Sequence, residues 1–346
     1  MKSHISILLY IVVRRVSGQL NDNQYPIPSY INNQTKVHVK QDGRHQAEHY
    51  VYEPPCPDDE DIAPCVCRYD SWANAIDLEC SAVESEEQLK QIFKADFPLK
   101  NFRKFFVEKN DNIKVLEVGV FNGISFEVID IINSHLEVIE LNALDSCYET
   151  VTMIHLVGNK VTSFPFDELS YFSKLRTFDV SGNSLSMIPA DAFNGLTALW
   201  HLDLSGNTPN IVGTFQDLPN LRDIDLSDNV LTTIPAHFIE TGSSHLSVIG
   251  LHYNNIVSVE PGAFDIVGGM DIIMDGNSLS TLEEATWRPY LEAGEVLWVN
   301  ANPLMCGCDI AWLFGEDQLL EQIGVYATCT DGEYLQDLDP KIFDLC

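Results

Sequence analysis

Basic residues are scarce in this chain of 346 amino acids: 20 Lys and Arg stand against 51 Asp and Glu, for a net charge of −31. A balance of that sign repels phosphate and argues against nucleic acid or anionic lipid as a partner. Long apolar runs are missing too. The one short run, Ile5 to Val13, falls well below the roughly 18 residues of a membrane-spanning helix, so no membrane anchor is expected. The common motifs of catalysis are absent: no G-x-S-x-G elbow, no phosphate-binding glycine loop, no H-E-x-x-H helix and no EF-hand loop. No catalytic residue, cofactor or metal is therefore assigned.

Cysteine, by contrast, is present nine times, and eight of the nine fall in two clusters of four. Cys56, Cys65, Cys67 and Cys80 lie early in the chain; Cys306, Cys308, Cys329 and Cys346 lie at its end. Paired clusters of this kind point to an oxidising, extracellular compartment. The start of the chain agrees with that. Ile5 to Val13 follows Lys2 as a signal-peptide core, and Val16-Ser17-Gly18 offers small residues for cleavage, although Arg14 and Arg15 interrupt the stretch between them. Residues 1–18 are read as a signal peptide and 19–55, rich in Asn, Gln, Tyr, His and Pro, as a flexible leader. Asn33-Gln34-Thr35 is the usable glycosylation sequon, since Asn207-Thr208 is followed by Pro209.

Between the clusters the chain repeats. Asn159, Asn183, Asn207, Asn229, Asn254, Asn277 and Asn302 recur 22 to 25 residues apart. Leu175, Phe178 and Val180 precede Asn183, with Leu185, Ile188 and Pro189 behind it; Leu221, Ile224 and Leu226 precede Asn229, with Leu231, Ile234 and Pro235 behind it. This is the frame of a leucine-rich repeat. Apolar residues two apart face one side of a short strand, and strands of successive coils pair into a parallel sheet. The Asn turns the chain inward and satisfies backbone groups between coils, so the asparagines form a buried ladder. Asn110 heads a first coil with one extra residue, and Ser134 stands for Asn in the second, where a single hydroxyl weakens the ladder. Counting both gives nine coils over residues 101–301.

The expected fold is thus an α/β solenoid, with a parallel sheet on its concave face and an irregular, partly helical convex side. Phe193, Phe215, Phe238 and Phe264 form an aromatic spine on that outer side. A solenoid must cap its first and last coils. Residues 56–100 and 302–346 serve as the caps, the first with a helix that places Leu89, Ile92 and Phe93 on one side. Zinc is the competing use of Cys-x-Cys clusters. Cys147 is left over, either as a buried free thiol or as a disulfide to a second chain.

Strand register lists what the concave face carries. Its middle column reads Phe106, Asp130, His155, Asp179, Asp203, Asp225, Gly250, Ile273 and Trp298, and the next column includes Met153, His201, Asp223 and Asp271. His155, His201, Asp179 and Asp203 come close enough for a metal or acid/base site to be conceivable. The ordinary wording of a solvated repeat strand produces such aspartates without any ligand. Binding a protein partner across His155, Asp179, His201, Asp203, Asp225 and Trp298 is the expected use.

Three segments carry a resemblance: Ala63-Pro64-Cys65-Val66-Cys67, Leu78-Glu79-Cys80-Ser81-Ala82-Val83-Glu84, and Asn159-Lys160-Val161-Thr162-Ser163-Phe164-Pro165. They resemble crustacean leucine-rich-repeat proteins named after the non-catalytic subunit of a decapod shrimp (Oplophorus) luciferase. That resemblance implies a secreted accessory subunit, with oxidation of an imidazopyrazinone luciferin done by a separate, small β-barrel chain. The two clusters also resemble the caps of secreted repeat proteins, where Cys306-Gly307-Cys308 and Trp312-Leu313 are part of the motif. This likeness implies the pairs Cys56–Cys67, Cys65–Cys80, Cys306–Cys329 and Cys308–Cys346, with Trp312 beneath the last two. A second reading, in a different functional class, is an immune or matrix recognition module for a glycan, a cationic peptide or a receptor.

Overall fold

The computed structural model describes residues 56–70, 73–208, 215–315 and 319–346. The expected signal peptide, leader and Asn33 sequon lie outside the described residues. An eleven-stranded sheet organises the rest. Strands β1 (Val66–Asp70) and β2 (Ala75–Glu79) form an antiparallel hairpin in the first cap. Nine parallel strands follow in chain order: β3 (Asn101–Glu108), β4 (Ser125–Ile132), β5 (Met153–His155), β6 (Thr177–Asp179), β7 (His201–Asp203), β8 (Asp223–Asp225), β9 (Val248–Gly250), β10 (Asp271–Ile273) and β11 (Val296–Trp298). One strand per coil in unbroken order is the leucine-rich-repeat solenoid.

The strands form because alternate residues are apolar and their neighbours are not. Ile154, Phe178, Leu202, Ile224, Ile249, Ile272 and Leu297 stack in one column at no more than 1% exposure. At about 25 cal/mol per Å² of apolar surface removed from water, such a column dominates the stabilisation of the stack. A single coil has no second face to cover it, so each depends on its neighbours.

The turn out of each strand has one backbone solution. The residue before every ladder position is left-handed: glycine at 158, 182, 206 and 276, and Lys109, Asn133, Asp228, Tyr253 and Ala301 in the other five coils, at φ between 48° and 66°. That conformation swings the next side chain inward. All seven asparagines are buried, at 4 to 9% exposure. Asn183 shows the pattern: its Nδ2 donates to Val180 O (2.9 Å) and Ser181 O (3.1 Å) of its own coil and to Leu156 O (2.8 Å) of the coil before. Its Oδ1 accepts the Val161 N–H at 2.9 Å. Ser134 Oγ accepts the Asn110 N–H (3.0 Å) and donates to Ile132 O alone (2.9 Å).

The return side is irregular and partly helical, as expected, with 3-10 turns at Asp145–Cys147 and Phe166–Tyr171. Three small parallel ladders run there, joining Val115–Leu116 to Val138–Ile139, Phe215–Gln216 to Ile239–Glu240, and Thr233–Ile234 to Ser258–Val259. Phe193, Phe215 and Phe238 pack in line with ring centroids 5.7 Å apart, the first pair stacked and the second edge-to-face. Phe264 packs instead on Tyr290 (5.8 Å), which belongs to a helix spanning Glu284–Glu292. Trp287, Tyr290 and Leu291 of that helix are buried at helical spacing, so one face of the helix packs on the core.

Both ends are closed. The first cap carries short helices α1 (Asp59–Ile62) and α2 (Glu86–Ile92), the helix of Glu284–Glu292 being α3. Ser85 caps α2 by accepting the Gln88 N–H (3.2 Å), and Leu89, Ile92 and Phe93 turn onto the first coil. Disulfides join Cys56 to Cys67 and Cys65 to Cys80 there. At the other end they join Cys306 to Cys329 and Cys308 to Cys346. Parallel bridges from Leu297 to Ile323 and from Leu304 to Cys329 continue the stack into this second cap. Trp312 is half-buried and donates Nε1–H to Leu282 O (2.9 Å), under the Arg288 guanidinium.

Candidate functional site

The side chains that alternate with the buried column point away from the core, and pairing register puts them in rows. Phe106, Asp130, His155, Asp179, Asp203, Asp225, Gly250, Ile273 and Trp298 are successive partners in the middle row. Lys104, Val128, Met153, Thr177, His201, Asp223, Val248, Asp271 and Val296 form the row beside it. Adjacent strands lie about 4.8 Å apart, so this face is a continuous surface of fixed side chains. His155, Asp179, His201, Asp203, Asp225 and Trp298 all lie on it, each half-buried.

Its charge is unevenly neutralised. Over the first coils, Asp130 binds the Lys104 ammonium and the His155 imidazole, with Nδ1 at 2.7 Å from Oδ1. Burial pushes the Asp130 carboxyl upward, but these hydrogen bonds outweigh it and hold the group below its ordinary value. Arg103 likewise clasps Asp77 (2.8 Å) and Asp70 (3.0 Å) of the cap. Over the middle coils the compensation stops. Asp179, Asp203 and Asp225 stack on successive strands, and each Oδ1 accepts a backbone N–H two residues on, from Ser181, Ser205 and Ser227 (2.9, 2.9 and 2.8 Å). Burial, with the Asp225 and Asp179 charges beside it, pushes the Asp203 carboxyl up to about 7.

Beyond Asp225 the middle row loses its charge. Gly250 leaves a gap into which Asp225 leans: a Cβ there would come within 2.8 Å of Asp225 Oδ1. Trp298 lies against the Gly324 backbone, where a Cβ would meet its ring at 2.6 Å, and its Nε1 reaches Asp271 (3.4 Å). Lys104, Trp200 and Arg222 also belong to this face, with the Arg222 guanidinium 5.5 Å from the Trp200 ring and Trp200 Nε1–H donating to Thr177 Oγ1 (3.1 Å). Register alone marks Lys104. Trp200 and Arg222 sit just before the strands begin, where the repeat frame says nothing about which way they lean.

His155 is turned onto Asp130 rather than toward Asp179. Among the described residues no three His, Cys, Asp or Glu side chains group to hold a metal ion. The thiol of Cys147 is fully buried beneath the return side, outside any disulfide, and burial pushes it up to about 11.

An unbroken parallel stack with an open, sculpted face defines a leucine-rich-repeat scaffold. A family model described as "Leucine rich repeat" matches residues 149–208. The chain is 32% identical over 314 residues, 83% of its length, to the Oplophorus-luciferin 2-monooxygenase non-catalytic subunit of Oplophorus gracilirostris, of which it covers 87%. The chain belongs to the family of that subunit and is non-enzymatic. Toll-like receptor 9 of Mus musculus is 32% identical over 105 residues, 30% of this chain and 10% of that receptor. Among solved structures, the fold matches the TLR13–ssRNA13 complex (TM-score 0.54, 24% identity, 64% of this chain, 31% of that one). It also matches a chain of an octameric complex of Latrophilin 3, Unc5D and FLRT2 (TM-score 0.53, 19% identity, 68% and 81%).

Proposed function

We propose that this chain is a secreted accessory protein that binds and stabilises a partner protein through the open face of its sheet, as the non-catalytic subunit of a luciferin-oxidising complex. The observation that carries this reading is the likeness to the Oplophorus subunit, which spans 83% of this chain and 87% of that one. Two physical features support it. Four disulfides lock the ends of the stack, as suits an extracellular compartment. The rows of fixed side chains form a preorganised surface, so little side-chain entropy is lost on docking. No helix of the described residues is long and apolar enough to cross a membrane.

The test is gentle purification from native secretion, with identification of every co-purifying chain. A stoichiometric oxidase partner, less stable once separated, is the expected result; recovery of this chain alone overturns the reading. Recognition of a glycan, a cationic peptide or a receptor is a second reading, favoured by the 105-residue likeness to Toll-like receptor 9. Expression in blood cells or gill rather than in a secretory organ would favour it.

A further inference from the structure

We propose that the partner protein is held by an extended segment that is basic at one end and apolar at the other, laid across the strands from the Asp179, Asp203 and Asp225 row to Trp298. This deepens the binding role proposed above and rests on it. The argument is charge complementarity combined with a polarity gradient along one face.

The three carboxylates are held upright by the serine N–H groups two residues on, which point them away from the core. None of the cations nearby, Arg176 before β6 and Arg222 before β8 included, forms an ion pair with them among the described residues. On the β5 side His155 is engaged by Asp130. The row beside them offers Thr177, His201 and Asp223, the last accepting from Ser247 Oγ at 2.9 Å. Arg222 is directed over Trp200. On the β9 side Gly250 has no side chain at all. Among the described residues no ion pair reaches Asp179, Asp203 or Asp225, whereas Asp130, two strands before Asp179 in the same row, has two. Three stacked like charges repel one another, and a cation laid over them relieves that repulsion.

The gradient then sets the direction and the length. Gly250, Ile273 and Trp298 carry no charge, and the gap at Gly250 separates them from the acidic row. From β6 to β11 is five strand spacings, about 24 Å. An extended segment of about seven residues spans it. Its lysine or arginine side chains would meet the carboxylates, and an apolar side chain would lie on the Trp298 ring, which Gly324 already holds in place.

A proton competes with such a segment. Burial and the two neighbouring carboxylates push the Asp203 carboxyl up to about 7, so that group is ionised at mildly alkaline pH and takes up a proton below. Binding of a cation should weaken as pH falls. The test uses the full chain and two synthetic peptides, one with lysines in its first half and leucine and tryptophan in its second, the other with glutamines replacing the lysines.

Calorimetry at about pH 8 should show the lysine peptide binding at least about tenfold more tightly than the glutamine peptide. Its affinity should fall severalfold toward about pH 5.5. Asp203→Asn should weaken binding at the higher pH and flatten that fall, and Trp298→Ala should weaken it at both. Equal affinity for the two peptides, or an Asp203→Asn chain that binds like the parent, overturns the proposal. Where Asp203→Asn fails to fold, carboxyl-carbon NMR of the parent decides it. A midpoint near 7 that drops on adding the lysine peptide supports the proposal, and an unmoved midpoint overturns it. A native partner that co-purifies equally with parent and Asp203→Asn would end this inference while leaving the accessory role intact.

Discussion

Ladder asparagines contribute more than their number suggests because each satisfies two coils at once. Truncating Asn183 to Ala strips the Val161 N–H of its acceptor and removes a donor from Leu156 O and Val180 O. A loss on the order of 2–3 kcal/mol is expected in denaturant unfolding. Were Asn183→Ala to cost less than a few tenths, the interior role of the carboxamide would be wrong. Cys147 makes the opposite kind of prediction. With its thiol buried and its ionisation pushed up to about 11, an alkylating reagent at about pH 8 should leave the native chain unmodified and label one thiol after denaturation. Rapid native labelling would mean that the return side opens far more easily than its packing implies. The ladder was legible in the sequence because amide and period coincide. The pairing of Lys104 and His155 with Asp130 was not, since a repeat frame gives a row and not the rotamers within it.

Among the elements, the strands were readable from alternation, and the return side only as an irregular, partly helical stretch with a phenylalanine spine. Three-residue strands such as β6 and β7 follow directly from apolar residues two apart. Helix α3 was missed because Glu283 lacks a capping hydrogen bond and Pro289 interrupts the pattern, although Trp287, Tyr290 and Leu291 carry the spacing of a buried helical face. The buried Glu295 belongs with it: Oε1 accepts from Val267 (2.9 Å) and Gly268 (2.7 Å), and Oε2 from Met270 (2.5 Å), which anchors the coil where Gly269 stands in an apolar position. The caps are the elements most exposed to chemistry. The Cys308–Cys346 bridge closes a separation of 38 residues, and losing it should cost about 2–5 kcal/mol. On mild reduction, amide exchange should accelerate first around Trp312 and only later at the central strands. Uniform acceleration along the stack would show that the cap does not fray independently.

At the scale of the whole molecule, two properties combine: a net charge of −31 and a sheet whose charges are neutralised at one end and unpaired in the middle. The first keeps the stack soluble and the second gives its open face a direction. The family likeness says that the relative serves in a complex without doing its chemistry, and the open face is where this chain has a surface to offer. Carboxyl footprinting of the native complex against the isolated chain tests this most directly. Protection concentrated at Asp179, Asp203 and Asp225, with oxidation of Trp298 suppressed as well, is the expected result. Labelling of those residues at equal rates in both samples, with protection found on the return side instead, would contradict the account.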